Sequence, residues 1–169
     1  VNNVPLCMSG GIHEPRDGIA LAGWALLTHP EALVDCRGVE SLWRNACEEL
    51  FRWISPVATS TRQTTADAEV SGITIPAGAL VAAVISSANR DERRWSHPDR
   101  YDLHRKEGTH LAFSTGPHVC LGAWLGRSTV RVAVQHLFHR LPGLHLRDAA
   151  GVEIRGFEFR GPVRMDVAW

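Results

Sequence analysis

The run Phe113-Ser114-Thr115-Gly116-Pro117-His118-Val119-Cys120-Leu121-Gly122 constrains this chain more than any other stretch, because turn-forming residues crowd into it and a long helical pattern starts where it ends. That helix is predicted from Leu121 to about Leu141, where Pro142-Gly143 breaks it. A cysteine at a helix start meets unpaired backbone N–H groups and the positive end of the helix dipole, and both favour the thiolate over the thiol. Gly116 and Gly122 leave room for backbone to pass close to a large flat ligand. The segment is suited to presenting one sulfur to a metal centre whose other ligands come from elsewhere. Taken alone, these residues support only a low-pKa cysteine at a helix start, with a buried structural cysteine as the alternative.

The remaining cysteines, Cys7, Cys36 and Cys47, form no C-x-x-C pair with each other or with Cys120, which argues against a structural zinc site and a disulfide framework and favours a reducing compartment. With 44% hydrophobic residues, 169 residues suffice for one domain with a real core, and a formal charge of zero selects no nucleic-acid or membrane partner. No apolar run reaches membrane-spanning length, and the N-terminus lacks the basic start and apolar core of a signal peptide. Val1-Asn2-Asn3-Val4-Pro5 lacks an initiator Met and runs directly into a helical pattern, as if cut from something longer, so an upstream anchor would lie outside this sequence.

The opening helical pattern continues through Ile19 to Leu27 and halts at Thr28-His29-Pro30. Pro30 then starts a short helix to about Cys36, a first-turn position where proline costs nothing. A third helix is predicted from Val39 to Ile54, with Leu42, Ala46, Leu50, Trp53 and Ile54 at helical spacing and Ser55-Pro56 as its stop. Val57 to Thr65 is strand-like. Ile73-Thr74-Ile75 and Ala79 to Val84 are expected to pair as a hairpin around Pro76-Ala77-Gly78. From Asn89 to His110 the pattern is polar and irregular, unusually long for a loop unless specific contacts pin it. Short strands are expected between Val152 and Trp169.

Extended through Ala123-Trp124-Leu125-Gly126-Arg127, the cysteine loop resembles the haem-binding signature of the cytochrome P-450 family, in which Phe, Gly, His or Arg, Cys, Gly and a downstream Arg recur at these spacings. The resemblance implies that Cys120 is the metal ligand of haem b (iron protoporphyrin IX), with Phe113, Gly116, His118 and Gly122 in the cofactor-binding loop. Glu49-Leu50-Phe51-Arg52 matches the family's E-x-x-R, and Arg100, in Pro98-Asp99-Arg100-Tyr101, is expected to be the second Arg that locks this pair to the irregular stretch. Two guanidiniums sharing one carboxylate can pin a loop by forked, charge-assisted bonds. Ser55-Pro56-Val57 followed by Arg62 resembles a bacterial S-P-V-x-x-x-x-R pattern whose Arg reaches a haem propionate, and His118 is the second cation expected there. The other histidines, His110 among them, read as surface or packing residues.

The opening helix departs from the family. Gly10-Gly11-Ile12-His13-Glu14-Pro15-Arg16-Asp17 occupies the place of a motif whose acid and alcohol manage water and protons. Glu14 keeps the acid, Pro15 replaces the alcohol, and Ile12 replaces the second glycine. Pro15 cannot donate to the carbonyl of Gly11 and pushes against it, so the helix is expected to open or kink there, leaving a groove for water from which Glu14 delivers protons. Glu14 and Pro15 are thus the candidate catalytic pair. Val57 and Ala58 with Phe157 and Phe159 suggest a hydrophobic substrate face. Arg127, Arg131 and Arg140 offer a basic face for an acidic redox partner, or simply a solvated helix face.

The implied fold is mainly α with small β-sheets, the C-terminal portion of a soluble, bacterial-type cytochrome P-450. Residues 1–169 form a single partial domain, from the oxygen-binding helix through the haem-ligand loop to the C-terminus. The implied reaction is cytoplasmic monooxygenation, one oxygen atom of O2 entering a small hydrophobic organic substrate with electrons from a ferredoxin or flavoprotein reductase. The portion of the family fold that lies upstream supplies further haem contacts and most of the substrate lid, so this chain alone is expected to hold haem weakly and not to turn over. Two rivals remain at this level: a haem protein with altered oxygen chemistry, either a peroxygenase or inactive, and a non-haem interaction domain in which Cys120 is structural.

Overall fold

The computed structural model describes residues 3–169. It is mainly helical, and its strands form four two-stranded antiparallel ladders. Helices α1 (Asn3–Gly10) and α2 (His13–Thr28) are separated by Gly11 and Ile12. The break sits where Pro15 demands it, but α2 begins afresh at His13 instead of running through the proline. Pro15 is therefore a first-turn residue, whose missing N–H would have had no intrahelical partner, and not the interior kink expected from the sequence.

Helix α2 is the spine. Leu21, Ala22, Ala25 and Leu26 are buried on it, and Gly18 sits where a Cβ would come within 2.9 Å of Val130 Cγ2, so the glycine sets how closely α6 (Ala123–Arg140) can approach. Helix α3 (Pro30–Gly38) starts on its proline as predicted. Helix α4 (Leu42–Trp53) is strongly amphipathic and starts three residues later than expected. Trp43, Ala46, Cys47 and Leu50 go into the core, and Trp43 stacks on Phe138 of α6 at 6.0 Å.

The predicted hairpin is corrected by the structure. Strand β2 (Ala68–Val70) pairs with β3 (Ile73–Ile75), while β4 (Leu80–Val84) pairs with β1 (Thr59–Gln63), with Arg62 opposite Val81. Ser71 and Gly72, with φ of 52° and 79°, make the two-residue turn whose twist suits a tight hairpin. The Pro76-Ala77-Gly78 turn folds back onto Thr64, whose hydroxyl donates to Pro76 O, while the Gly78 N–H donates to Thr64 O. That interaction sends β4 along β1. A short helix, α5 (Ile85–Ala88), follows β4, and the tail carries β5 (His145–Leu146), β6 (Ile154–Arg155), β7 (Gly161–Pro162) and β8 (Val167–Ala168).

From Asn89 to His110 there is neither helix nor strand, as expected, and one carboxylate organises the stretch. Arg52, with 1% of its side chain exposed, forks onto Glu49 through Nε and Nη2, both at 2.8 Å. Its remaining donors reach the carbonyls of Asn89 (2.9 Å), Pro98 (2.8 Å) and Arg100 (3.1 Å). The second arginine on Glu49 is Arg105, whose Nε lies 3.0 and 3.2 Å from the two oxygens. Arg100 is not that partner. Its carbonyl turns inward to accept from both arginines and its side chain is exposed. Among the described residues, no helix is long and apolar enough to cross a membrane.

Candidate functional site

The cysteine loop is closed by its own backbone. Cys120 N–H donates to Phe113 O (2.9 Å), Ser114 N–H to Leu111 O (2.8 Å), and Val119 N–H to Gly116 O (3.1 Å). Gly116, at φ 61°, opens a single 3₁₀ turn, Gly116–His118; a Cβ there would meet open space, so conformation and not crowding calls for the glycine. Helix α6 begins at Ala123, two residues later than predicted, with Ala123 N–H donating to Cys120 O (3.2 Å). Cys120 therefore precedes the first helical turn instead of opening it. A Cβ on Gly122 would lie 3.9 Å from its sulfur, ordinary contact. Phe113, Gly116, His118, Cys120 and Gly122 are thus brought into one closed loop.

Cys120 is exposed, as is Cys7 on α1. Cys36 and Cys47 are buried, and burial, reinforced by Asp35 and Glu48 respectively, pushes each thiol up to about 12. Those two are core residues, which leaves Cys120 as the loop's single available sulfur. Val119, Leu121, Trp124 and Leu125 stand 59–91% exposed around it, a run of large apolar side chains with no cover among the described residues.

The sequence reading missed what holds this loop to the body. Glu48, the neighbour of Glu49 on α4, accepts from Arg127 Nε (2.7 Å) and hydrogen-bonds His110 Nε2 (3.1 Å). The Arg127 guanidinium lies 4.0 Å from the centroid of the Phe113 ring, which also packs edge-on against Phe51 at 5.0 Å. Burial pushes the Glu48 carboxyl up, but the hydrogen bonds from His110 and Arg127 outweigh it and hold it below the usual carboxylate range. Arg127 is therefore engaged internally, which removes it from the basic face suggested by the sequence. The available signal was helical: adjacent residues on a helix face about 100° apart, so two consecutive acids on α4 cannot serve the same partner.

Arg62 is exposed on β1, its Nη1 bonded to Ser60 Oγ (2.7 Å) and Thr61 O (2.8 Å). Neither Arg62 nor His118 has a carboxylate partner among the described residues. Among the described residues, no hydrogen bond or ion pair joins Arg62, Glu14 or Pro15 to the cysteine loop.

Glu14 lies half-buried in the first turn of α2, with Oε2 buried and lacking a partner in the protein. It borders a cavity of about 460 Å³ shared with His13, Arg16, Phe159 and Val163. The tail reaches this place because Ala58 N–H donates to Glu158 O and Arg160 N–H to Pro56 O, both at 2.8 Å, and because Gly161 passes Asp17 where a Cβ would be 2.8 Å away. Phe159 and Phe157 are exposed, Ala58 is buried, and the cavity wall is charged as well as apolar. A larger open depression of about 760 Å³, beside Arg90, Asp91 and Arg93, involves none of the predicted site residues.

Comparison with known proteins accounts for this arrangement. The family model for cytochrome P-450 matches residues 41–142, over half of the chain. Nocardicin C N-oxygenase of Nocardia uniformis subsp. tsuyamanensis is 40% identical over 165 residues, covering 95% of this chain and 41% of that protein. Pentalenic acid synthase of Streptomyces avermitilis is 37% identical over 172 residues, covering all of this chain and 42% of that one. The ligand-free structure of cytochrome P-450 TbtJ1 superposes with a TM-score of 0.93 at 38% identity, over 98% of this chain and 44% of that one. The chain thus spans about two-fifths of the relatives it matches, and with the E-x-x-R pair, the pinned irregular stretch and the closed cysteine loop in place, it belongs to the cytochrome P-450 family.

Proposed function

We propose that this chain carries the haem-thiolate site of a monooxygenase that inserts one oxygen atom from O2 into a small organic substrate. The observation that carries the reading is the exposed sulfur of Cys120, the cysteine of the closed loop, fixed at its amide by Phe113 O and surrounded by uncovered apolar side chains. These residues fit a haem. Cys120 would ligate the iron, Val119, Leu121 and Trp124 offer apolar surface to a flat macrocycle, and Arg62 and His118, which have no carboxylate partner among the described residues, would supply hydrogen-bond donors for the propionates. When bound, the haem supplies one-electron and oxygen chemistry that no side chain provides.

The protein's own contribution lies in positioning and proton handling. Cys120 would hold the iron through its sulfur, from a loop whose backbone is tied at the Cys120 amide by Phe113 O. Glu14, with one buried oxygen free of protein partners beside a cavity, can hold a water and pass a proton. Pro15, in the first turn of α2 beside Glu14, occupies the alcohol's place without supplying a hydroxyl. Phe159 and Phe157 give the substrate an apolar face, with His13 and Arg16 near it for a polar group. Electrons come from a ferredoxin or flavoprotein reductase.

The experiment is oxygen consumption by the haem-loaded full-length enzyme that carries this chain, with an electron donor, for the wild type, Cys120→Ala and Pro15→Thr. Donor-dependent consumption that is lost in Cys120→Ala supports the reading. The substitution of Pro15 for the alcohol favours one second reading, a haem protein that works from peroxide. Turnover with peroxide and no donor would establish that reading instead. Unchanged coupling and solvent isotope effect in Pro15→Thr would remove Pro15 from the proton path.

A further inference from the structure

The cluster around Glu48 does something that the neighbouring Glu49 cluster does not. Glu49 faces the irregular stretch, whereas Glu48, one residue earlier on α4, faces the cysteine loop and α6. Its two oxygens are divided, with Oε1 accepting from Arg127 of α6 and Oε2 bonded to His110, immediately before the loop. His110 is buried, and its Nδ1 accepts from Ala112 N–H at 3.2 Å, which leaves Nε2 to carry the proton donated to Glu48. The Arg127 plane covers one side of the Phe113 ring, while Phe51 and His110 pack on it at 5.0 and 6.0 Å. Phe113 is also the residue whose carbonyl holds the Cys120 amide.

We propose that Glu48 is the positioning residue of the cysteine loop. By gripping His110 and Arg127 with one carboxylate it clamps the Phe113 ring, and the Phe113 carbonyl in turn fixes the Cys120 backbone. The inference rests on Cys120 being the functional sulfur, but the clamp itself requires no bound cofactor. It also gives the planar guanidinium of Arg127 a reason: a lysine could satisfy the charge of Glu48 but could not lie flat over the ring.

The test is amide hydrogen exchange by mass spectrometry on the full chain with and without haem, in wild type, Glu48→Ala, Arg127→Ala and the double variant. Exchange in the peptide spanning Phe113 to Gly122 is expected to accelerate roughly tenfold to a hundredfold in either single variant, the scale of losing a charge-assisted hydrogen bond. The α2 segment Leu21 to Leu26 should keep its protection, and the double variant should be no worse than the more severe single one. Unchanged exchange in the loop peptide, or equal acceleration in both segments, would overturn the proposal, because the cluster would then be ordinary packing. If Glu48→Ala does not fold, Arg127→Lys serves: it keeps the charge, and an unchanged loop peptide in that variant would also overturn the clamp. The haem reading is tested separately by the same samples, through the red-shifted band of the reduced carbon monoxide complex. Loss of that band in every sample would count against the haem site and leave the exchange result standing.

Discussion

Arg105 and Arg100 lie five residues apart in the same irregular stretch, and replacing each by alanine should give sharply different results. The Arg105 side chain is 7% exposed and meets a Glu49 that is 5% exposed. Its Nε spans both Glu49 oxygens, Nη1 reaches Ser96 O (2.7 Å) and Glu107 Oε2 (2.6 Å), and Nη2 reaches the carbonyls of His97 and Arg100. Arg105→Ala removes one of the two guanidiniums on a buried carboxylate and frees the carbonyls of Ser96 and His97, while Arg100 O keeps its bond from Arg52. Breaking a buried pair costs about 3–5 kcal/mol, and because Arg52 stays on Glu49 the lower end applies, about 3 kcal/mol. For a chain of this length that corresponds to a fall in melting temperature of roughly 6–12 °C. Arg100→Ala keeps the carbonyl that does the work and removes only an exposed side chain, so its cost should stay within about 0.5 kcal/mol. Thermal unfolding followed by far-ultraviolet circular dichroism separates the two. A loss in Arg100→Ala as large as in Arg105→Ala would refute the assignment of the second arginine.

Three further outcomes follow from the packing and charges. Gly18→Ala should lower stability by about 1 kcal/mol by chemical denaturation, since overpacking against Val130 costs about 1–3 kcal/mol and the better helix propensity of alanine offsets up to about 1; a stabilised variant would contradict the close crossing of α2 and α6. Glu48 has its folded pKa held low, so its stabilisation is present above the ordinary carboxylate range and is lost as pH falls through the lowered value. The melting-temperature gap between wild type and Glu48→Gln should therefore shrink as pH drops below about 4, and a constant gap would contradict the ionised pair. Alkylation of the native protein at neutral pH should label Cys7 and Cys120 and spare Cys36 and Cys47, read by peptide mass spectrometry; labelling of either buried thiol would contradict their place in the core.

What was legible in the sequence is what local chemistry decides. The stop at His29 before Pro30, the amphipathic α4 and the turn-rich cysteine loop depend on proline, periodicity and glycine, and all are present in the structure. The second arginine of the Glu49 cluster was not legible, because the irregular stretch offers Arg90, Arg93, Arg94, Arg100 and Arg105 with no periodicity to say which faces inward. The hairpin was placed one turn too late, since Pro76-Ala77-Gly78 is the louder turn signal and Ser71-Gly72 the tighter one. Pro15 reads in the sequence as opening or kinking a helix interior, whereas the chain breaks at Gly11 and Ile12, just before α2 starts, and uses the proline in the first turn. The Glu48 cluster went unread because its members lie 62 and 79 positions apart, and only the fold brings them together.

The measurement that tests the central claim most directly is the reduced, carbon-monoxide-bound absorption spectrum after haem loading of the full-length enzyme that carries this chain, with Cys120→Ala beside the wild type. The account predicts a strongly red-shifted Soret band in the wild type that is lost in Cys120→Ala, the signature of thiolate ligation by that residue. A haem-loaded wild type without that band, or a band that survives in Cys120→Ala, would contradict it.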